Sequence, residues 1–469
     1  MTATLAELTA ALSRYEIHAL LTSEVGGLVI EDVYHDSRNV APGGLFCCVV
    51  GENHDGHDHA GDAVASGAVA VLTQRRMDLD VASLIVPDTR LAMPLVAAEV
   101  HEHPSRSLDV VGVTGTNGKT TTVHLIDAIC RKARRASMTI GTLTGERTTP
   151  EAPDLQRMLR AAVDDDVKVV AMEVSSHAVS QHRVDALQVT VGVFTNLGQD
   201  HLDYHGTMEN YFRAKAAFFN PERVRTAVVD VDGTYGRLLA DAAPVEVRAI
   251  SQRDLQIVEQ SISHTTFVWQ GREIRLPLGG DVNVRNAHAA AEVGQLLGFE
   301  PNEIVAGLNA ADRLPGRFRP VENGAGLTVI VDYAHTPDAL DRLLNTAREL
   351  MNGRVRLVFG CGGDRDREKR PAMGAIAARG ADDVIVTSDN PRGEDPAAII
   401  DEIMAGMTVP PGRMVVDRRA AIEIALTEAQ RGDIVLIAGK GHETTQTIGD
   451  QTVAFDDAAV AAEILADLA

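Results

Sequence analysis

Short runs of Val, Leu, Ile and Ala recur along the whole chain, but their rhythm changes twice. Through residue 106 the runs LVIEDVY, GLFCCVV, GAVAVL and SLIVP are separated by clusters of Gly, His and Asp, as in a small α/β module with many loops. The stretch HEHPSRS closes this part and reads as a linker. From residue 109 the pattern becomes regular: DVVGVTG predicts a strand, KTTTVHLIDAICRKA a helix, VKVVAMEV and LQVTVGVFTNL two strands, MENYFRAKAAFF a helix and RTAVVDVD a strand. Strands alternating with helices imply a mainly parallel, doubly wound sheet. A break falls at ADRLPGRFRP, residues 311–320, after which LTVIVDYAH, VRLVFGCGG, DDVIVTSDN and DIVLIAGKG restart the alternation. The expectation is an α/β protein of three domains: residues 1–106, a central domain over 107–315, and a Rossmann-like domain over 316–469. Each of the last four predicted strands ends in polar residues or glycine, and open α/β sheets bind ligands at the carboxyl ends of their strands.

Composition narrows the classes. With 469 residues, 45% apolar and 23% charged, the chain suits a multidomain globular protein. No apolar run approaches the roughly 20 residues of a membrane helix, and MTATLAELTAALSRYEIHAL lacks a basic segment followed by an apolar one, so a cytoplasmic protein is expected. Cys47, Cys48, Cys130 and Cys361 show neither metal-ligand spacing nor a disulfide framework, which fits a reducing compartment. A formal charge of −22 argues against nucleic acid as a partner. It leaves room for a small anionic ligand, which needs only a local positive pocket.

One such pocket is suggested by GVTGTNGKTTT, residues 112–122, between an apolar strand and a helix. Gly112, Gly115 and Gly118 would let backbone N–H groups approach phosphate oxygens, Lys119 would reach terminal phosphates, and the Thr120 or Thr121 hydroxyl would face Mg²⁺. The strict phosphate-loop pattern wants glycine where this chain has Val113, so a glycine-rich turn with a surface lysine stands as the alternative. Glu173 and His201 follow strands in the same way and would reach a metal beside bound phosphates. Hard Mg²⁺ prefers oxygen, however, and a lone histidine reads more readily as structural. Lys215 lies among Phe212, Phe218 and Phe219, where a lysine ordinarily lays its stem on apolar surface and keeps its ammonium in water.

An ordered set of motifs then resembles the Mur ligases over nearly the whole chain: DSR and DGHDHAGDAVASGA, then TGTNGKTTT, TTPE, EVSSHAVSQHRV, NLGQDHLDYHG and YFRAKAAFF, then NVRNAHAAA, LPGRF, DYAHTPDAL, GCGGDRDREKRP, SDNPRGEDP and GKGHE. The phosphate loop of that family has this glycine spacing, with no glycine required at Val113. The resemblance implies an ATP- and Mg²⁺-dependent ligase that extends the peptide of a nucleotide-linked peptidoglycan precursor. It implies ATP contacts from Gly115, Thr116, Asn117, Gly118, Lys119, Thr120, Thr121, Asn283, Asn286, Arg317 and Asp332, with Tyr333 and His335 lining the same cleft. Lys119, Glu173, His201 and Lys215 match the catalytic positions; Thr120, Glu173, His201 and Lys215 match metal ligands, Lys215 as the carbamate formed with CO₂, an N6-carboxylysine.

The same resemblance implies that Ser37, Thr148, Thr149, Ser175, Gln181 and Arg183 hold the acceptor, UDP-N-acetylmuramoyl-L-alanyl-D-glutamate. Arg365, Asp389, Asn390, Pro391, Arg392, Gly439 and Glu443 would hold the amino acid. A planar guanidinium suits a carboxylate, so Arg392 of DNPR points to meso-2,6-diaminopimelate. Family members that add lysine depart from DNPR at the arginine. Departures here are Val282, where an aromatic is expected, His288 in place of Leu or Ala, and a short segment between Ile140 and Thr148. The lysine-adding ligase and a folylpolyglutamate synthetase, which lacks the first domain and DNPR, are the nearer alternatives; an ATP-gated binding protein that forms no amide is the more distant one. A monomer is expected.

Overall fold

The computed structural model describes residues 2–22, 25–51, 54–408 and 413–468. Three sheets organise them. The first has the order Leu20–Leu21, Ala82–Ile85, Ala68–Thr73, Gly44–Cys47, Asp32–Tyr34, and only its outermost Leu20–Leu21 pairing is antiparallel. Helices Leu5–Arg14 and Thr89–Val100 cover one face and bury Leu8, Leu12, Met93 and Val96 against Val33, Leu45 and Leu72.

The central sheet is wholly parallel, in the order Glu246–Ile250, Val224–Asp230, Val189–Phe194, Asp109–Thr114, Val169–Glu173, Ser137–Ile140. Its strands are apolar on both sides because both faces are covered. Val111 and Val113 pack under helices Lys119–Lys132 and Asp281–Leu296, whereas Val110 points into the opposite core with Leu155, Leu159, Phe218 and Leu239. The third sheet repeats the plan: Arg319–Pro320, Thr328–Asp332, Ile434–Ala438, Val355–Phe359, Asp383–Val386, Arg413–Met414, parallel except for the first pair. Two cores flank it, one under Pro337–Leu350, Lys369–Gly380 and Pro396–Met404, the other under Arg418–Thr427 and Asp457–Leu468.

Several expectations need adjustment. HEHPSRS is packed rather than free: Pro104 and Ser105 are buried, and the Ser105 Oγ accepts the Gln188 N–H at 3.1 Å. The strand expected over LQVTVGVFTNL stops at Phe194, since the Thr195 and Asn196 side chains bond to the loop at Asn117 instead of continuing a ladder. The helix expected through Phe219 ends at Ala216, and both phenylalanines turn into the core. An antiparallel sheet, Gln256–Gln260, Thr265–Trp269 and Arg272–Leu276, was not anticipated; its Trp269 Nε1 donates to Glu292 Oε1 at 2.9 Å. The four cysteines are free and buried. Among the described residues no helix is long and apolar enough to cross a membrane.

Candidate active site

Strand Asp109–Thr114 runs through four residues into helix Lys119–Lys132. Gly115 has φ +149° and a Cβ there would fall 1.9 Å from Thr195 Oγ1; Gly118 has φ +88° and a Cβ would fall 2.4 Å from Asn286 Oδ1. A side chain at either position would be strained and would have to displace that neighbour. Val113 belongs to the strand, paired with Glu173 and Val193 and fully buried, so it lies before the loop rather than in it. The loop is fastened to the next strand's end: Thr116 N donates to Asn196 O at 3.0 Å, Asn117 N to Asn196 Oδ1 at 3.0 Å, and Thr195 Oγ1 to Asn117 O at 2.6 Å. The Lys119 ammonium donates to Gly115 O and Thr116 O, each at 2.9 Å, and burial lowers its pKa.

Beside the loop, Glu173 is buried at its strand's end and accepts Thr142 N at 2.9 Å and the Thr142 hydroxyl at 3.3 Å. His201 sits at φ +54° at the start of the short helix Leu202–His205, its imidazole pushed down to about 3 by burial and so neutral at physiological pH. Lys215 overturns the ordinary reading of a lysine on an amphipathic helix. Only 1% of it is exposed, its Nζ donates to Gly115 O at 2.9 Å and lies 4.7 Å from the Tyr211 ring centre. Burial, reinforced by the Lys119 charge, drives its pKa well below the ordinary value. Among the described residues no three His, Cys, Asp or Glu side chains converge as a metal site. Glu173 and His201 both line the cleft beside the loop.

The third sheet closes over this rim. Arg317 donates from Nη2 to Thr120 Oγ1 at 3.0 Å and lies 4.6 Å from the Tyr333 ring centre. Asp332 accepts Phe318 N at 2.6 Å, and burial raises its pKa. His335, lowered to about 4 by burial, comes within 3.8 Å of Asp200, and Lys369 within 3.7 Å of the same carboxylate. Asp200 and Lys369 were not singled out by sequence, although Asp200 directly precedes His201 in NLGQDH. Between these walls lies one cleft, lined by the loop residues Thr116 to Thr121 together with Thr148, Glu173, His201, Asn283, Asn286, Arg317, Asp332, Tyr333 and His335. Val282, Ala339, Leu343 and Thr346 form an apolar end beside the two asparagines, and Arg342 lies with them. The aliphatic stretch of helix Pro337–Leu350 thus supplies the apolar surface that an aromatic at position 282 was expected to give.

Two further clusters flank the cleft. Thr148 Oγ1 lies 3.1 Å from Thr142 Oγ1, Thr149 Oγ1 donates to Glu173 O at 2.9 Å, and Ser175 N donates to Thr149 Oγ1 at 3.0 Å. Arg183 reaches Thr149 O at 2.9 Å and Gln181 Oε1 at 2.6 Å. A buried carboxylate that sequence reading missed, Glu151, joins Arg90, Arg147 and Arg183 at 3.1, 2.6 and 2.9 Å, leaving net positive charge on this flank. Ser37 stands apart from the cleft, on the turn Ser37–Asn39.

The second cluster gathers at the carboxyl ends of the third sheet. Asn390 Nδ2 donates to Glu443 Oε2 at 2.6 Å, and the fully buried Lys440, another omission, bonds to Asn390 Oδ1 at 3.2 Å and Glu443 Oε2 at 3.1 Å. Burial raises the pKa of Asp389, whose carboxylate lies against Gly439. Arg392 donates from Nη1 to Gly363 O at 2.8 Å; Gly362 separates it from Arg365, which is exposed. Pro391 carries its carbonyl against Gly363. The cluster thus holds the carboxylates of Asp389 and Glu443 and the cations of Lys440 and Arg392.

A phosphate loop with flanking polar residues at strand ends, closed by a second Rossmann-like sheet, is the architecture of an ATP-dependent ligase. Three domain families match in chain order: the Mur ligase family catalytic domain over residues 29–109, the Mur ligase middle domain over 113–294 and the Mur ligase glutamate ligase domain over 316–441. The chain belongs to the Mur ligase family. It is 44% identical to the UDP-N-acetylmuramoyl-L-alanyl-D-glutamate--2,6-diaminopimelate ligase of Syntrophomonas wolfei, covering 93% of this chain and 94% of that one. The enzyme of the same name from Geobacillus thermodenitrificans is also 44% identical, over 91% and 93%. A solved structure of a ligase of that name aligns with TM-score 0.67 and 31% identity over 99% of both chains. A folylpolyglutamate synthase of Mycobacterium tuberculosis shares the fold at TM-score 0.60 and 18% identity, over 80% of this chain and 94% of that one.

Proposed function

We propose that the protein joins meso-2,6-diaminopimelate to the γ-carboxylate of the D-glutamyl residue in UDP-N-acetylmuramoyl-L-alanyl-D-glutamate, with hydrolysis of ATP to ADP and phosphate. The division of labour proposed is residues 1–106 for the uridine end of the acceptor, 107–315 for ATP and the reacting carboxylate, and 316–469 for the amino acid. A monomer is the proposed working unit, and the cytoplasm, with its ATP and reducing poise for four free cysteines, the proposed location.

The chemistry follows from charge. The γ-carboxylate oxygen attacks the γ-phosphorus, the bond to ADP breaks, and an acyl phosphate results; the amine then adds to its carbonyl, loses a proton and expels phosphate. Two anions must meet in the first step, so the protein's task is positioning and neutralisation rather than covalent participation. Lys119, with two carbonyl contacts that phosphate oxygens would replace, and Arg317, on Thr120, are the cations at hand. Thr148, Thr149, Ser175, Gln181 and Arg183 would orient the acceptor, with Ser37 toward its uridine end. Asn283, Asn286 and Asp332 would hold the nucleoside. Closure by the third sheet excludes water, which would hydrolyse the acyl phosphate.

Mg²⁺ would be held by Thr120, Glu173 and His201, where it neutralises phosphate charge. The donor set fits on one condition. Lys215 as an ammonium would repel the ion, whereas as a carbamate it would supply a second anionic donor beside Glu173. Its burial lowers its pKa and so favours the neutral amine, the form that adds CO₂, and the residue fits an N6-carboxylysine.

Arg392 carries the choice of amino acid, because lysine lacks the distal carboxylate that a guanidinium would clasp. The test is phosphate release with ATP, Mg²⁺ and the acceptor, comparing meso-diaminopimelate with L-lysine. Stimulation by diaminopimelate supports the reading; stimulation by lysine instead would overturn the specificity, and none by either would overturn the acceptor.

A further inference from the structure

The hairpin formed by Thr445–Ile448 and Gln451–Ala454 has no part in the roles above, yet it grips the segment that carries Arg392. Gln446 is buried in an otherwise exposed hairpin, and its Nε2 donates to Ser388 Oγ at 3.0 Å and to the Asp389 carbonyl at 2.6 Å. The next N–H, of Thr447, donates to Asn390 Oδ1 at 3.0 Å. Arg392 itself is then paired on both sides: its N–H donates to Thr447 O at 3.0 Å and its carbonyl accepts Gly449 N at 2.7 Å. This matters because Arg392 has φ +49°, a left-handed conformation that an arginine keeps only where its surroundings enforce it. The guanidinium uses one N–H on Gly363 O, and its other N–H groups have no hydrogen-bond partner among the described residues.

We infer that Gln446 is a positioning residue for amino-acid selection, clamping residues 388–392 so that Arg392 turns its guanidinium toward the distal carboxylate of the incoming amino acid. The inference rests on the role proposed for Arg392. It goes further in making selectivity a property of the hairpin, whose hydrogen bonds among the described residues reach neither the phosphate loop nor the acceptor cluster. A strut with no role in selection would alter stability while leaving the preference between amino acids unchanged.

Gln446→Met keeps the side chain's length and removes its donors. Steady-state kinetics on the full chain should show KM for meso-diaminopimelate raised about tenfold or more, with KM for ATP and for the acceptor held within about twofold. In an Arg392→Ala background the same substitution should add almost nothing, because the two act through one contact. An unchanged KM for diaminopimelate, or a full additive loss on top of Arg392→Ala, would overturn the inference. Should Gln446→Met fail to fold, Ser388→Ala removes one acceptor of the clamp and decides in its place: a raised KM for diaminopimelate alone supports the inference, and an unchanged one overturns it. The unmodified protein is run alongside; if it shows no turnover dependent on diaminopimelate, the ligase reading itself fails and the inference falls with it.

Discussion

Replacing Lys215 by methionine is expected to stabilise the protein while removing its turnover. The side chain is 1% exposed, faces no carboxylate within salt-bridge distance among the described residues, and has one hydrogen bond, to Gly115 O at 2.9 Å. Burial, reinforced by the Lys119 charge, drives its pKa well below the ordinary 10.5, so folding disfavours the ammonium and the unmodified protein carries that cost at neutral pH. The hydrogen bond and the contact with Tyr211 return part of this cost, and replacing buried ionic groups by apolar residues of similar volume gains up to about 1 to 4 kcal/mol, so Lys215→Met should gain stability within that range. The sign with pH is fixed. A depressed folded pKa means that the unfolded chain binds the extra proton, so the unmodified protein gains stability as pH rises toward 10.5 and the methionine variant does not. The gap between them should narrow as pH rises from 7.5 to 9. Urea unfolding in CO₂-free buffer at pH 7.5 and 9 measures both quantities, and coupled ADP release measures turnover, expected to fall about a hundredfold or more. A variant less stable than the unmodified protein, or one with near-normal turnover, would refute the reasoning. Lys215→Ala leaves space as well, and partial recovery with added acetate would identify the missing anion.

Two further outcomes follow from the site. Gly118→Ala places a methyl 2.4 Å from Asn286 Oδ1 at φ +88°, so KM for ATP should rise about tenfold or more while calorimetric melting shows a folded protein. Burial holds His205, His335 and His442 down to about 4 and His201 to about 3, so all four stay neutral in the fold while the unfolded chain protonates them below about 6.5. Stability should therefore fall as pH drops from 6.5 toward 4, with proton uptake on unfolding at pH 5; a urea midpoint unchanged between pH 7.5 and 5 would contradict this.

The parallel strands were legible because their covering is two-sided. Val110 and Val111 face different cores, so the sequence shows a continuous apolar run with no alternation to misread. The antiparallel strand Gln256–Gln260 escaped notice because it is half exposed and mixes Glu and Gln with Ile and Val. Motifs located the phosphate loop, Glu173 and Arg392, but their neighbours in space are remote in sequence. Asp200 meets Lys369 across 169 residues, and Glu151 meets Arg90 across 61. Lys215 could not be recognised as buried from its helix, since a lysine among phenylalanines has the same pattern whether its ammonium emerges or lies under a loop. Gln446 carries no local signal; its amide matters only because the hairpin folds back on Ser388 and Asp389.

The most direct test of the central claim follows an oxygen atom. UDP-N-acetylmuramoyl-L-alanyl-D-glutamate labelled with oxygen-18 in its γ-carboxylate is turned over with ATP, Mg²⁺ and meso-diaminopimelate, and the released phosphate is analysed by mass spectrometry. An acyl phosphate requires one carboxylate oxygen to leave with the phosphorus, so one labelled oxygen per phosphate, in step with amide formed, is the predicted result. Unlabelled phosphate, or phosphate released without diaminopimelate entering an amide, would contradict the account.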